Sequence, residues 1–143
     1  VFVICSVALH VGVVAKLKAE SALIAITTPS PDATGQKGIY TEVPQQSTFP
    51  YVVVEIESIP WAQDDASNME HKITVHGFSR KNSPSEAMSI AASVFAALDR
   101  QESGISVDSG NMLLCDFSGV KTTFKDPDGI TWHSATEFRL IMN

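Results

Sequence analysis

The strongest constraint on the fold is a helix start signal in the middle of the chain, Ser83-Pro84-Ser85-Glu86. Ser83 can accept a hydrogen bond from the first helical N–H groups, and Pro84 suits the first helical position, where no backbone donor is needed. Glu86 can reach back to complete a capping box. The signal predicts a helix that ends near Arg100. Its apolar stripe consists of Ala87, Ile90, Ala91, Val94 and Leu98, widened by Met88 and Phe95.

Short segments rich in β-branched and aromatic residues lie on both sides of this helix, between Gly and Pro residues, which is typical of strands. Six strands are predicted, at 38–44, 50–57, 71–79, 112–117, 121–125 and 131–142. The second and third form a hairpin with a long loop from Ser58 to Glu70. The segment 126–129, Asp-Pro-Asp-Gly, suits a type I turn before the last strand.

The start of the chain is apolar, and Val3 to about Thr27 has helical spacing until two prolines end it. Residues 1–15 could also be a targeting segment or a membrane span. They contain His10 and Gly12, however, and reach Lys16 sooner than the ~20 residues that a spanning helix needs. A basic leading segment and an A-x-A-like cleavage site are missing. A buried helix is therefore favoured over a targeting segment, although the β-branched residues also allow a strand in the first ten positions.

The order helix, three strands, helix, three strands predicts an α+β fold, with a mostly antiparallel sheet and two helices packed on one face. The 143 residues suit one domain with its own core. The other face of the sheet lacks a cover, and apolar side chains without an obvious partner hint at self-association. These side chains are Tyr40, Tyr51, Phe78 and Phe117.

Charge and cysteine content exclude some function classes. Sixteen acidic and ten basic residues give a formal net charge of −6, and Lys and Arg are not clustered. Tight binding of nucleic acid is therefore not expected, because phosphate affinity depends on such clusters. The two cysteines, Cys5 and Cys115, form no C-x-x-C motif, so a reducing compartment is the default.

No catalytic, cofactor or metal site is predicted. Phosphate-binding glycine motifs and a G-x-S-x-G nucleophile motif are missing from the sequence. His71 and His76 lie five positions apart on one strand and should therefore point to opposite faces, which excludes a shared metal ion. His133 near Asp126 and Glu137 could imitate a general base with an orienting carboxylate, but no nucleophile accompanies it.

Several segments together carry a family resemblance through their order and spacing over nearly the whole chain. They are 14–23, 38–40, 43–45, 50–53, 71–76, 78–80, 86–87, 90–91 and 126–129, followed by His133, Phe138 and Arg139. In this arrangement the chain resembles the tail-completion or tail-terminator proteins of long-tailed bacteriophages and gene-transfer particles. Residues 1–10 depart from the pattern, because they are more apolar than the family's first helix.

The resemblance implies a structural, non-enzymatic virion protein, assembled in the bacterial host cytoplasm. It implies a homo-oligomeric ring, expected to be hexameric, at the head-proximal end of the tail tube. There the ring would end tube polymerisation and contact the tail tube protein and a head-side connector or stopper protein. No cofactor and no membrane contact are implied. DNA would pass through without specific binding, and an acidic protein suits such a channel because like charges repel the phosphates.

A candidate assembly contact is the loop after the second strand, which is long enough to reach a neighbouring subunit or the tube. Its residues are Ile59, Pro60, Trp61, Gln63, Asp64 and Asp65. The alternative is a solvated loop with Trp61 tucked onto the sheet edge. Two other functions also stay open: another neck or minor tail protein of the same particle, or an unrelated ligand-binding α+β domain.

Overall fold

The computed structural model describes residues 2–29, 31, 34–45, 47–60, 69–101, 105 and 112–142. The helices are α1 (Phe2–Lys18), α2 (Ser21–Ile24) and α3 (Ser85–Leu98), with a 3-10 turn at Thr34–Gln36. The strands are β1 (Ile39–Tyr40), β2 (Tyr51–Pro60), β3 (Met69–Ser79), β4 (Met112–Lys125) and β5 (Trp132–Met142). They form one sheet in the order β1-β2-β3-β5-β4. Only β1 and β2 pair in parallel, so the predicted α+β class with a mostly antiparallel sheet is confirmed.

The long strands separate the sheet into two faces because their buried apolar residues recur every second position. The pairs Val54–Val75 and Ile73–Phe138 lie opposite each other across the ladders. Both long helices cover this side, which we call the helix face. They contribute Leu9, Val13 and Leu17 from α1, and Ile90, Val94, Ala97 and Leu98 from α3. The other side, the open face, carries the alternate residues of β2 to β5.

Gly77 of β3 lies where α3 approaches the sheet most closely. A Cβ atom at this position would lie 2.6 Å from Ile90 Cγ2 and 2.7 Å from Ser134 Oγ. Real Cβ atoms do not approach other atoms so closely, so only glycine fits without a shift of the helix or the strand.

The prediction of one helix from Val3 to Thr27 is wrong, because the backbone turns between α1 and α2. Glu20 has an extended backbone (φ −81°, ψ 103°) and is the N-cap of α2. Leu17 and Leu23 are both fully buried. On a straight helix they would lie about 120° apart, so the turn allows both leucines to reach the same core. Within the described part of the chain, no helix is both long and apolar enough to span a membrane.

The predicted capping box at the start of α3 is also wrong. The helix begins at Ser85 and its N-cap residue, Pro84, makes no side-chain capping bond. Ser83 Oγ does accept a hydrogen bond from the Ser85 N–H at 3.3 Å, so the half of the box that fails is the one assigned to Glu86. Glu86 instead accepts a hydrogen bond from Ser79 Oγ at 2.7 Å and lies 3.2 Å from Lys81 Nζ. Ser79 is fully buried and needs an acceptor, which explains why the carboxylate points to the end of β3 and not back to Ser83.

The two strands predicted at 112–117 and 121–125 are one strand, β4, with an irregularity between them. Phe117 pairs with Phe138 and Lys121 with Thr136, so four positions on β4 face two on β5. Such a bulge absorbs extra residues without ending the strand. The predicted turn at 126–129 is confirmed, since Gly129 N–H donates to the Asp126 carbonyl at 3.0 Å.

The strand predicted at 38–44 contains only Ile39–Tyr40, and the predicted β2–β3 hairpin is confirmed with longer strands. Ile59 pairs with Glu70 and Pro60 with Met69, so these two residues belong to β2. The prediction that placed them in the loop is wrong. A proline is tolerated here because it stands at the end of the strand. Four predicted contact residues lie outside the described residues: Trp61, Gln63, Asp64 and Asp65.

Candidate functional site

The open face carries a row of rings that crosses four strands. Tyr51 of β2, Phe78 of β3, His133 of β5 and Phe124 of β4 are direct cross-strand neighbours. The ring centroids are separated by 5.1 Å, 4.4 Å and 4.6 Å in that order. Phe49 extends the row, 4.9 Å from Tyr51. We call these five rings the aromatic row; each such contact contributes about 0.5–1.5 kcal/mol beyond the area it buries.

The two ends of the aromatic row differ in exposure. The Arg80 guanidinium lies 4.2 Å from the centre of the Phe49 ring, and Arg80 Nε donates to Thr131 Oγ1 at 3.3 Å. Tyr51 is buried beneath this end, whereas Phe124 at the other end is 43% exposed. The row is therefore closed on the β2 side and open to a partner on the β4 side.

Three of the four apolar residues predicted to lack cover are covered by other side chains. Tyr40 and Tyr51 are buried and lie 6.0 Å apart, centre to centre. Phe117 lies on the helix face, 5.2 Å from Phe95 and 6.2 Å from Phe138. The spacing of residues could not show the position of Phe117, because both alternating sets of the segment 112–117 contain apolar residues.

Beside the aromatic row, four polar side chains form a connected line, the histidine chain. Glu55 Oε2 lies 3.0 Å from His76 Nε2, and His76 Nδ1 lies 2.7 Å from His133 Nε2. His133 Nδ1 then lies 3.1 Å from Asp126 Oδ1. The predicted proximity of His133 and Asp126 is confirmed. Glu137, the other predicted neighbour, is instead bound to Lys72 Nζ at 2.6 Å.

Burial is the main influence on the protonation of His133. Desolvation lowers the pKa of His133, and the positive charge that His76 can carry lowers it further. The hydrogen bond to Asp126 opposes both effects. His133 is therefore held in the neutral form more strongly than an exposed histidine.

The end of the open face toward the β2–β3 loop is charged. Glu57, Lys72, Arg139 and Asp116 lie opposite one another from β2 to β4, so two central cations are flanked by two carboxylates. Arg139 also pairs with Glu70. The opposite charges of the two outer pairs attract, which favours this register, whereas the two central cations repel each other and are compensated by nearby carboxylates. Alternation in the sequence assigns Glu57, Lys72 and Arg139 to the correct face, but it does not align the strands, so both rows were missed.

The arrangement offers surface recognition and proton exchange. Within the described ranges, no group of three or more His, Cys, Asp or Glu side chains is placed to hold a metal ion. His71 is fully buried on the helix face while His76 lies on the open face, so the two histidines point in opposite directions, as predicted.

Comparison with known proteins agrees with this fold. The family model described as tail completion protein gp17 matches residues 11–143. The chain belongs to this family. The resemblance drawn from the sequence is thereby confirmed, and this tail-completion protein is a structural protein of a virion tail. The match leaves out residues 1–10, the segment whose apolar character departs from the family pattern.

A solved structure shows the same fold at low sequence identity. It is a chain of the virion of a native gene transfer agent particle, with a TM-score of 0.77 and 17% identity. The similarity covers 96% of this chain and 96% of that one. Comparison with curated proteins gives no match. The tail-completion protein therefore shares almost its whole fold with a protein found in an assembled particle.

Proposed function

We propose that this tail-completion protein forms a homo-oligomeric ring, expected to be hexameric, at the head-proximal end of the tail tube. The ring ends tube polymerisation and joins the tail to the head, through the tail tube protein on one side and a connector or stopper on the other. It acts as a structural component and not as an enzyme. The family match over residues 11–143 is the observation that carries this proposal.

The open face supports the proposal physically. Closed rings use heterologous contacts, in which one surface of a subunit meets a different surface of its neighbour. The open face supplies one such surface, with the exposed Phe124 at one end and a row of charged side chains at the other. The exposed Val11 and Met88 lie on the helix side and supply apolar surface of a second kind. A subunit with two different contact surfaces is suited to the heterologous contacts of a ring.

We further propose that the segment after β2 contributes to the subunit or tube contact. Ile59 and Pro60 extend β2 past the charged end of the open face, and β3 starts again only at Met69. The eight intervening positions include Trp61, Gln63, Asp64 and Asp65. Tryptophan is among the residues that contribute most to protein interfaces, so Trp61 is the first position to test.

Electron microscopy of particles from a strain lacking this gene tests the function. Tails of uncontrolled length, or tails detached from filled heads, are expected. Normal particles would refute the proposal. Immunogold labelling of intact particles should place the protein between head and tail, and a label elsewhere on the tail would assign it to another neck or tail position.

The same strain tests the proposed contact by complementation. Trp61→Ala and Asp64→Lys are expected to give detached tails and, for the purified protein, smaller assemblies in native mass spectrometry. Two controls make matched changes outside the loop. Val43→Ala truncates an exposed apolar side chain after β1, and Glu42→Lys reverses the exposed charge next to it. If the loop variants and the controls behave alike while the deletion strain is defective, the loop assignment is wrong and the function stands.

A further inference from the structure

The histidine chain on the open face contains three contacts that each need one hydrogen. The heavy atoms are separated by 3.0 Å, 2.7 Å and 3.1 Å, which are hydrogen-bond distances. An ionised carboxylate supplies no hydrogen, and a neutral imidazole supplies one. Two carboxylates, Glu55 and Asp126, and two neutral rings, His76 and His133, therefore hold two hydrogens for three contacts. One contact would be left with two lone pairs facing each other.

The position of the unfilled contact depends on the tautomers of the two rings. When both rings direct their N–H groups outward to the carboxylates, His76 Nδ1 and His133 Nε2 face each other with lone pairs at 2.7 Å. The other tautomer of either ring fills this contact, but then a ring lone pair faces the carboxylate of Glu55 or Asp126. Only one more hydrogen or another cation completes all three contacts. Zinc would place each nitrogen 2.0–2.1 Å from the metal, and at a tetrahedral angle the nitrogens would then lie about 3.3 Å apart. The observed separation is shorter and matches an N–H···N hydrogen bond.

We propose that the histidine chain is a binding site for a single proton, carried as the His76 imidazolium while His133 stays neutral with its hydrogen on Nδ1. In this state His76 donates to both Glu55 and His133, and His133 donates to Asp126, so all three contacts are complete. A second proton is refused, because two imidazolium rings would face each other at the same short distance.

The surroundings favour His76 as the site of the charge. The His76 side chain is 20% exposed and lies beside Glu55, which is 70% exposed, whereas His133 is only 15% exposed. Burial and the charge of His76 both lower the pKa of His133. Desolvation thus costs more at His133 than at the more exposed ring.

Other charged or titratable groups face the histidine chain from each strand of the open face. They are Tyr51 and Glu57 from β2, Lys72 from β3, Asp116 from β4, Glu137 and Arg139 from β5, and Arg80 and Asp128 near the turn. Lys72 is paired with Glu137 and Arg139 with Glu70, so much of this charge is compensated. Glu55 and Asp126 are therefore the groups that set the proton affinity of the chain.

Proton binding connects elements that are distant in sequence. Glu55 belongs to β2, His76 to β3, His133 to β5 and Asp126 to the turn that precedes β5. Loss of the proton opens one of the three contacts beside the aromatic row. The open face is thus responsive to pH independently of whether the protein forms a ring.

The substitution Asp126→Asn tests the proton count. An asparagine amide can donate to His133 Nδ1, after which His133 Nε2–H donates to His76 and His76 Nε2–H donates to Glu55. Three hydrogens then fill three contacts without an additional proton. The matched control is Glu57→Gln, which removes one negative charge two positions beyond Glu55 on the same face. It changes none of the four side chains of the histidine chain.

Long-range ¹H–¹⁵N NMR of the histidine rings, from pH 8 to pH 5 on the full chain, gives the readout. In the unmodified protein His76 is expected to become doubly protonated while His133 keeps a single hydrogen on Nδ1. In Asp126→Asn the His133 hydrogen should move to Nε2, because the amide donates to Nδ1. In Glu57→Gln the His133 hydrogen should stay on Nδ1, because this substitution leaves the four side chains of the histidine chain unchanged.

Several results would overturn the proposal. One is protonation of His133 before His76 in the unmodified protein. This test does not depend on the folding of any variant. Another is an Asp126→Asn spectrum with the same His133 tautomer as Glu57→Gln. A third is stoichiometric binding of Zn²⁺ that is lost in His76→Ala, which would make the chain a metal site. Amide spectra recorded with each titration show whether each variant is folded.

Discussion

Substituting Gly77 by alanine tests how closely α3 packs on the sheet. The new Cβ would lie 2.6 Å from Ile90 Cγ2, 3.2 Å from Ile90 Cβ and 2.7 Å from Ser134 Oγ. Ile90 is fully buried among core side chains and cannot rotate into open space. The backbone of Gly77 does not have a positive φ, so alanine meets no conformational strain of its own. The cost must come from contacts between the helix and the strand.

Two opposing effects set the magnitude of this change. Overpacking a core by one methyl group costs typically about 1–3 kcal/mol. Replacing glycine inside a strand regains about 0.5–1 kcal/mol, because the unfolded chain loses conformational freedom. The expected net loss in the free energy of unfolding is about 1–2 kcal/mol. For a chain of this length, the midpoint of thermal unfolding should fall by roughly 3–8 °C.

Thermal and urea unfolding, followed by circular dichroism, measure the effect. Ile90→Ala removes the clashing methyl group and should cost less in the Gly77→Ala background than alone, whereas Ile90→Val keeps that methyl and should not compensate. Gly35→Ala is the control, since nothing lies within 4 Å of a Cβ there. It should be neutral or slightly stabilising. If Gly77→Ala is as stable as the unmodified protein, or if alanine and valine at position 90 compensate equally, the packing argument is refuted.

Two pH effects on stability complete the predictions. Burial lowers the pKa of His10, His71 and His133 below the usual 6.5, so the unfolded chain binds protons at a higher pH than the folded protein. The midpoint of urea unfolding should therefore fall as pH drops from 7 toward 5. A midpoint that does not change with pH would contradict this. Hydrogen bonds from Thr131 and Ile130 lower the pKa of Asp128 to about 2. The contribution of the Asp128 carboxylate to stability is therefore present above pH 4 and is lost between pH 4 and 2. Asp128→Ala should therefore reduce the acid slope in that range, and an unchanged slope would show that the turn does not depend on this carboxylate.

The long elements of the fold were predictable because local patterns and tertiary packing agree there. Alternation placed Phe138 and Leu140 on one face and His133 and Arg139 on the other, as the strand pairing has them. The errors occur where a distant contact decides the local structure. Glu86 had the right spacing for a capping box but binds the buried Ser79 instead. That contact joins residues seven positions apart, and the local sequence pattern does not predict it.

The open face was only partly predictable, because its rows depend on strand register. Sequence spacing placed Asp126 near His133 through a tight turn. It could not place His76 of β3 against His133 of β5, which lie 57 positions apart in the chain. Nor could it show that Phe117 lies on the helix face and Phe124 on the open one, because it did not align β4 with β5.

An assembly protein must leave a surface uncovered without inviting arbitrary strand pairing, and the outer edge of β4 shows how this can be achieved. Here the backbone N–H of Arg100 donates to the Cys115 carbonyl at 2.8 Å, and Phe117 N–H donates to Asp99 Oδ1 at 3.1 Å. The end of α3 thus occupies backbone groups that could otherwise pair with another chain. Since this part of the edge is already satisfied, we expect subunit contacts to use side chains of the open face, such as Phe124, and not an added strand at 115–117.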